Sequence, residues 1–489
     1  MRIDEILMAT SPGETRAALV SEGRLVELVV ERQNAASLVG NVYLGRVNKV
    51  VPSMDASFVE LGTARAGFLA GADVRRALNA QGDPTRGRRG DTGPIASAVT
   101  EGEALLVQVT KDAFAQKGPR LSTEIALPGH WLVYTPNRPG LSLSRRISSA
   151  EERARLEAAI APHLGTGEGV ILRTAAEGVE DRKLLDDLIP LRKAWGDLLA
   201  RAKDTKAPAL LFSEPDPVNR VLRDHAGPGL RRVFCDTREV RERAAAYLAR
   251  EGEDVEAHFH RGPEPLFARH DVEDQIAHAL DPVVELPSGG SLAIGALEAL
   301  TAIDVNSGRH TGAGRFADAI LAVNLEAAPE IARQIRLRNL AGLIVIDFVH
   351  MEDASQRMRV TNALRAALAG DPVPTQLAGM TSLGLFEMTR KRVRESLRDA
   401  LMAPCATCGG AGWLKSPETI AYEILRAAER AAATSGGRAV SAIAGADVVM
   451  ALEEGAKAAR AQLESRLGRP LGLRVEPRYG REQFDIVVD

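Results

Sequence analysis

Ala302-Ile303-Asp304-Val305-Asn306 and Leu343-Ile344-Val345-Ile346-Asp347-Phe348 are the two stretches from which the rest of the chain can be read. Each has the composition of a β-strand with an acid at or near its end, and the second is an apolar run of the kind found in buried strands. Between them, Asn324 to Leu340 has helical spacing, with Ile331 and Ile335 on one face and Arg333, Arg336 and Arg338 elsewhere. A strand–helix–strand unit sets its two strands side by side and parallel. Asp304 and Asn306, two apart, then share a face, and Asp347 lies on the neighbouring strand. Two carboxylates and an amide at the edge of an apolar sheet suit a hard divalent ion. Magnesium takes one or two carboxylates and leaves its other positions to water and substrate phosphate. The plainer reading is a pair of strand-end acids that cap helices or bind arginines.

A chain of 489 residues is too long for one core and corresponds to roughly three to five domains. With 45% hydrophobic and 26% charged residues it is globular rather than disordered. No apolar run reaches the ~18 residues that span a bilayer. The N-terminus carries Asp4 and Glu5 instead of a basic-then-apolar signal pattern. Three cysteines make no disulfide framework, so a reducing cytoplasmic location is expected. The net charge of −3 argues against a nonspecific nucleic-acid coat and leaves room for a local groove. Basic residues do cluster, at Arg390, Lys391, Arg392 and Arg394, at Arg333, Arg336 and Arg338, and at Arg231 and Arg232. The ordinary reading of such clusters is a solvated face.

The first 31 residues read as short strands joined by turns, too few for a domain and expected to join a sheet made later in the chain. Residues 41–123 read as β throughout, interrupted by a Gly/Arg/Asp/Pro-rich loop at 79–94. A small five-stranded barrel can show nucleic acid a face of aromatics for base stacking and cations for phosphate. Phe58 and Phe68 are the candidate stacking residues, with Lys111 and Lys117 as phosphate partners; the alternative is that both phenylalanines are core. Residues 124–217 are mixed, with strands near 131–134 and 170–172 and helices around 149–162 and 180–202. Gly169 to Thr174 is an apolar strand ending in Arg173 and Thr174, which can grip a phosphate through a guanidinium fork and a hydroxyl. Helices are expected at about 416–434 and 445–467, before a final strand ending at Asp489.

Cys405-Ala406-Thr407-Cys408-Gly409-Gly410 is half of a zinc knuckle. A structural zinc wants four ligands, so a second copy of the chain would supply the other two. The alternative is a redox pair, which needs a helix N-terminus after the first cysteine; the glycines here point to a turn and favour shared zinc.

Taken together, these segments resemble the RNase E/G family of bacterial endoribonucleases. The resemblance runs over essentially the whole chain. It is carried by the order and spacing of Leu286-Pro287-Ser288-Gly289-Gly290, Glu298 to Ser307, Asn324-Leu325-Glu326-Ala327-Ala328, Gly342 to Phe348, Gly384 to Arg392, and the cysteine pair. With no long tail after the C-terminal segment, the chain looks more like the RNase G branch; the catalytic half of a longer RNase E-type enzyme is the other option. The resemblance implies an α/β multidomain fold. Residues 1–36 and 218–279 would form a split RNase H-like domain. Inserted into it are an OB-fold RNA-binding domain at 37–123 and a 5′-sensor region at 124–217. A DNase I-like catalytic domain at 280–400, a zinc link at 401–415 and a small C-terminal domain at 416–489 would follow. It further implies magnesium at Asp304 and Asp347 with Asn306 orienting the site, and RNA contacts at Phe58, Phe68 and Lys117. Lys111, Arg390 and Lys391 are added as basic candidates. Arg173, Thr174 and Val133 match a 5′-monophosphate pocket, and Cys405 and Cys408 a zinc link between protomers in a homodimer or dimer of dimers. The implied activity is cleavage of single-stranded RNA to 3′-hydroxyl and 5′-phosphate ends in ribosomal RNA maturation and messenger RNA turnover. A catalytically silent RNA-binding scaffold on the same fold is the competing class.

Overall fold

The structure is a computed structural model, and it describes residues 2–32, 37–74, 94–113, 117–214, 216–227, 229–252, 254–297, 299–308, 316–434, 436 and 438–488. The loop expected at 79–94 lies, apart from Pro94, outside the described residues. The chain divides into two compact units, Met1–Ala400 and Leu401–Asp489.

Strands β1 (Glu5–Ser11), β2 (Glu14–Ser21) and β3 (Arg24–Arg32) form an antiparallel meander. The N-terminal strands find their partners far along the chain. Strand β14 (Arg232–Cys235) pairs in parallel with β1, and β15 (Glu256–Phe259) in parallel with β14. Helices Pro217–His225 and Arg238–Glu251 bury Val221, Leu222, Val240 and Ala244 against Ile6, Met8, Val233 and Cys235.

Strands β4 (Val42–Val51), β5 (Ala56–Glu60), β6 (Gly67–Ala70), β7 (Ala104–Lys111) and β8 (Arg120–Ser122) run in the order β4-β5-β6-β8-β7. Pairing of β4 with β7 closes them into a five-stranded barrel of the OB type. Val47, Val59, Leu69, Leu105, Val107 and Leu121 fill its interior. Strand β13 (Ala209–Phe212) adds to the outside of β4. Strands β9 (Leu127–Pro128), β10 (Leu132–Thr135), β11 (Gly140–Leu143) and β12 (Gly169–Leu172) form a small sheet. It packs on helices Ala150–Ile160 and Asp181–Asp204 in a core shared with Val42, Leu44 and Leu106 of the barrel.

The sheet carrying the two opening stretches has six strands: β16 (Val283–Glu285), β17 (Ser291–Ala296), β18 (Leu300–Asn306), β19 (Gly342–Asp347), β20 (Thr375–Met380) and β21 (Leu385–Arg390). Their order is β16-β17-β18-β19-β21-β20, and β18 and β19 are parallel neighbours. The connecting helix spans Phe316–Leu337, and with helix Ala354–Leu368 it covers one face. The apolar run 343–348 is not sandwiched, as its composition implied. Ile344 and Ile346 point into the core, whereas Leu343 is 41% exposed and Asp347 faces solvent. One face of this sheet is open.

The arginines of the connecting helix are not a solvated face either. Arg336 is buried and paired with Glu27 of β3 at 2.9 Å, Arg333 with Glu330 at 2.6 Å, and Arg338 bonds Gln334 at 2.6 Å. Arg336 and Arg333 join this helix to the N-terminal meander, where Arg333 also donates to the Leu25 carbonyl, while Arg338, just past the helix end, donates to the Asp281 carbonyl. In the second unit, β22 (Val440–Ala444), β23 (Leu471–Val475) and β24 (Phe484–Val488) pack on helices Pro417–Thr434, Ala446–Glu453 and Lys457–Leu467. No helix among the described residues is long and apolar enough to cross a membrane.

Candidate active site and nucleic-acid interface

Strand alternation places the acids. On β18, Thr301, Ile303 and Val305 are buried while Ala302, Asp304 and Asn306 are exposed. Parallel pairing makes Asp304 and Asp347 direct cross-strand partners, so both carboxylates rise from the open face side by side. Asn306 Nδ2 donates to Asp304 Oδ2 at 3.0 Å, which fixes that carboxylate's orientation. The backbone around the pair is held from below. The fully buried Asn324 donates to the Val349 carbonyl at 2.8 Å and accepts from the Val349 amide at 3.0 Å, pinning the segment after Asp347. Past Asn306 the chain turns at Gly308, with φ +62°, so close to the 289–290 turn that a Cβ would lie 2.1 Å from the Gly289 carbonyl. Among the described residues, no third acid, histidine or cysteine joins the pair in a group able to enclose a metal. Two carboxylates with open space above them suit an ion that keeps water and substrate as its remaining ligands.

On the barrel, Phe58 and Phe68 are cross-strand partners with ring centroids 5.9 Å apart, edge to face. Their neighbours Ser57, Val59, Gly67 and Leu69 are buried and the rings are half-buried, so they stand on the outer wall and are not core. Cross-strand register extends this pair into a row that holds Lys111, already a candidate in the sequence, together with Arg120 and Lys49, which the sequence did not mark. Phe68 lies opposite Arg120, Arg120 opposite Lys111, and Lys49 opposite Phe58. Two aromatics are thus flanked on both sides by cations, although the Arg120 guanidinium also pairs with Asp73 at 2.7 Å. Only pairing between strands distant in sequence creates this row, so no local motif announces it. Lys117 is exposed two residues before Pro119, whose carbonyl receives the Phe68 amide at 2.7 Å, and so flanks the same wall.

Arg390 is the clear correction. Its guanidinium is buried, bonded to Asp371 at 2.7 Å and to Asn339 Oδ1 at 2.8 Å. It is a structural ion pair, not an RNA contact. Its parity with Phe386 and Met388, both buried on β21, was the available signal. Lys391, next along, is exposed.

In the small sheet, Val133 is the partner of Ile171, and the Arg173 amide donates to the Trp131 carbonyl, so Val133, Ile171 and Arg173 share one face. Arg173 is already engaged, with Asp224 at 3.0 Å and the Gly129 carbonyl at 3.0 Å. Thr174 Oγ1 lies 2.8 Å from Ser144 Oγ. Burial raises the Asp224 pKa, but the adjacent Arg223 and Arg173 charges outweigh it and hold the carboxyl at about 2.

Cys405 and Cys408 sit in a turn closed by Gly409 N–H to the Cys405 carbonyl at 2.7 Å. Amides of Cys408 and Thr407 directed at the Cys405 sulfur lower its pKa to about 7, which favours the thiolate that metal binding needs. Gly412 N–H reaches Cys408 Sγ at 3.4 Å. Cys235 is buried in the core of the first unit, with its thiol pushed up to about 12 by burial, and is no ligand.

The first unit thus combines a closed barrel with an aromatic and cationic wall and a separate sheet whose open face carries paired carboxylates. The family model described as the ribonuclease E/G family matches residues 126–393. The chain is 38% identical over 489 residues to ribonuclease G of Salmonella typhimurium (strain SL1344), covering 99% of each. It is 37% identical over 486 residues to ribonuclease G of Escherichia coli (strain K12), again covering 99% of each. To ribonuclease E of Nostoc sp. it is 39% identical over 406 residues, 81% of this chain and 57% of that relative. The chain is an endoribonuclease, a hydrolase by class. It belongs to the ribonuclease E/G family.

Proposed function

We propose that the chain is a magnesium-dependent, single-strand-specific endoribonuclease, acting in ribosomal RNA maturation and messenger RNA turnover and leaving 3′-hydroxyl and 5′-phosphate ends. The observation that carries this reading is the pairing of Asp304 with Asp347 across β18 and β19 on an open face, with Asn306 orienting Asp304. A bound magnesium ion would supply positive charge at the scissile phosphate and acidify an attacking water. Asp304 and Asp347 would hold it. Asn306 keeps the Asp304 carboxylate in one rotamer, and the Asn324 clamp keeps Asp347 in register. The barrel wall would stack unpaired bases on Phe58 and Phe68 while Lys49, Lys111 and Lys117 neutralise phosphates, which favours single strands over duplexes. A silent RNA-binding scaffold is disfavoured, because two adjacent exposed carboxylates without a cation repel the phosphate backbone.

Arg173 and Thr174 would take a 5′-monophosphate, with Val133 lining the same face. The antiparallel meander with parallel β14 and β15 supports the RNase H-like reading of 1–36 with 218–279, and the six-stranded sheet supports a DNase I-like domain at 280–400. Cys405 and Cys408 would share one zinc with a second protomer, giving one ion per two chains; elemental analysis with light scattering before and after chelation checks it, and one zinc per chain would refute it. The main test is cleavage of a short single-stranded RNA by purified protein with and without magnesium. Cleavage that is equally fast after exhaustive removal of divalent ions would overturn the proposal.

A further inference from the structure

On the sheet of β1, β14 and β15, the alternation that sends Val233 and Cys235 into the core sends Arg232 and Phe234 to the opposite face. There Phe234 is the direct partner of His258 on β15, with ring centroids 5.5 Å apart. The short helix Leu266–Arg269 closes the other side and brings His270 within 5.0 Å of the same phenyl ring. The result is a cavity of about 400 Å³ walled by these rings and by Arg232, Arg261 and Arg269. The Asp304–Asp347 pair, the barrel row and the Arg173 face all lie on other sheets.

The charge of this cavity runs against that of the chain, which is −3 overall. Arg232 is paired with Glu5 and stands 5.7 Å from the Phe234 centroid. Glu256 approaches His258 Nε2 at 3.9 Å. The exposed Arg261 and Arg269 have no carboxylate within 4 Å among the described residues, and both line the cavity. Nor do the three histidines here, His258, His260 and His270, make a metal-holding group among the described residues. His260 is committed instead, with Nε2 2.7 Å from the Glu264 carbonyl. What remains is two free guanidiniums, imidazole N–H donors and a wall of planar rings. Guanidinium forks bind phosphate oxygens bidentately, and planar rings take a flat apolar partner. One nucleotide combines both, and the volume accommodates one.

We propose that this cavity is a second nucleotide site, which takes a nucleoside monophosphate with its base against Phe234 and its phosphate on Arg261 and Arg269. The same chemistry is offered by a free nucleotide and by the phosphorylated end of an RNA. The site does not depend on the cleavage reading, and its test is a binding measurement on the full chain that needs no turnover. In isothermal titration calorimetry, adenosine 5′-monophosphate should bind saturably, with adenosine and inorganic phosphate each at least about tenfold weaker. Arg261→Ala with Arg269→Ala, both exposed and therefore compatible with the fold, should cut that affinity by at least about tenfold. Phe234→Leu should weaken adenosine 5′-monophosphate but leave inorganic phosphate unchanged. Displacement of the bound nucleotide by a 5′-phosphorylated single-stranded oligonucleotide would identify RNA ends as the ligand; displacement only by other mononucleotides would identify the free form. No saturable binding, binding unchanged in the double arginine variant, or binding lost in Arg173→Ala instead would overturn the site.

Discussion

The barrel and the acidic sheet solve the same geometric problem with opposite charges. Each has a packed face and an open one, and each reads its function from cross-strand partners on the open side. The barrel sets Lys49, Phe58, Phe68, Arg120 and Lys111 in one row, and the sheet sets Asp304 beside Asp347. Under the proposed function the row would attract a polyanion and stack its bases, while the acid pair would repel that polyanion unless a cation intervened. Binding and chemistry would then be separated onto different sheets, and metal would be the condition for chemistry alone.

Breaking the acidic side should have the largest effect. Asp304→Asn or Asp347→Asn is expected to lower cleavage by roughly a thousandfold, since the charge stabilisation an ion supplies is worth several kcal/mol. RNA affinity measured without metal should hold or rise slightly, because a repulsive charge is gone. Cleavage within a few-fold of wild type at saturating magnesium would break the comparison.

A second contrast lies between neighbours in one basic run. Arg390→Ala leaves Asp371, 4% exposed, without its partner, and breaking a buried pair in this way costs about 3–5 kcal/mol. Lys391→Ala should leave stability within about 0.5 kcal/mol. Denaturant melts of both variants check this, and equal stability would return Arg390 to the list of RNA contacts.

These cases also mark how far the sequence could be read. The acid pair was legible because period-two alternation and parallel strand–helix–strand pairing are local rules, and they carry Asp304, Asn306 and Asp347 to one face. The outward direction of Phe58 and Phe68 was not, since an aromatic in an apolar strand suits either side of a barrel. Arg120 and Lys49 joined the row only through register between strands separated by loops. The burial of Arg336 and Arg390 depended on distant acids, Glu27 and Asp371, that no window around the arginines contains.

On the barrel side, Phe58→Ala and Phe68→Ala should each weaken single-stranded RNA by about 1–3 kcal/mol. Because the rings touch each other, the double variant should lose less than the sum of the singles. Arg120→Gln should cost less than either, its charge being already shared with Asp73. Fluorescence anisotropy across a salt series separates the two contributions: loss of the cation lowers the salt dependence, loss of a ring does not. A full additive loss in the phenylalanine pair would mean that the two rings stack separate bases without supporting one another.

The smallest expected effect concerns the 5′ end, where the contrast is between a free and an occupied cation. Arg173 is already bonded to the ionised Asp224, so a terminal phosphate must displace or share that partner. A charge-assisted contact worth about 1.5–3 kcal/mol, less up to about 1 kcal/mol for the partly exposed pair it disturbs, leaves roughly a tenfold preference. RNA with a 5′-monophosphate should therefore be cleaved about tenfold faster than the same RNA with a 5′-hydroxyl. Arg173→Ala should level the two rates by slowing the phosphorylated substrate alone. Thr174→Val should produce a smaller change in the same direction, since its hydroxyl adds one neutral donor and is shared with Ser144. Initial rates on the matched substrates decide the point. Equal rates in the wild-type protein would mean that Asp224 holds Arg173 too firmly for the phosphate to compete, and that the pair serves only to join the small sheet to helix Pro217–His225.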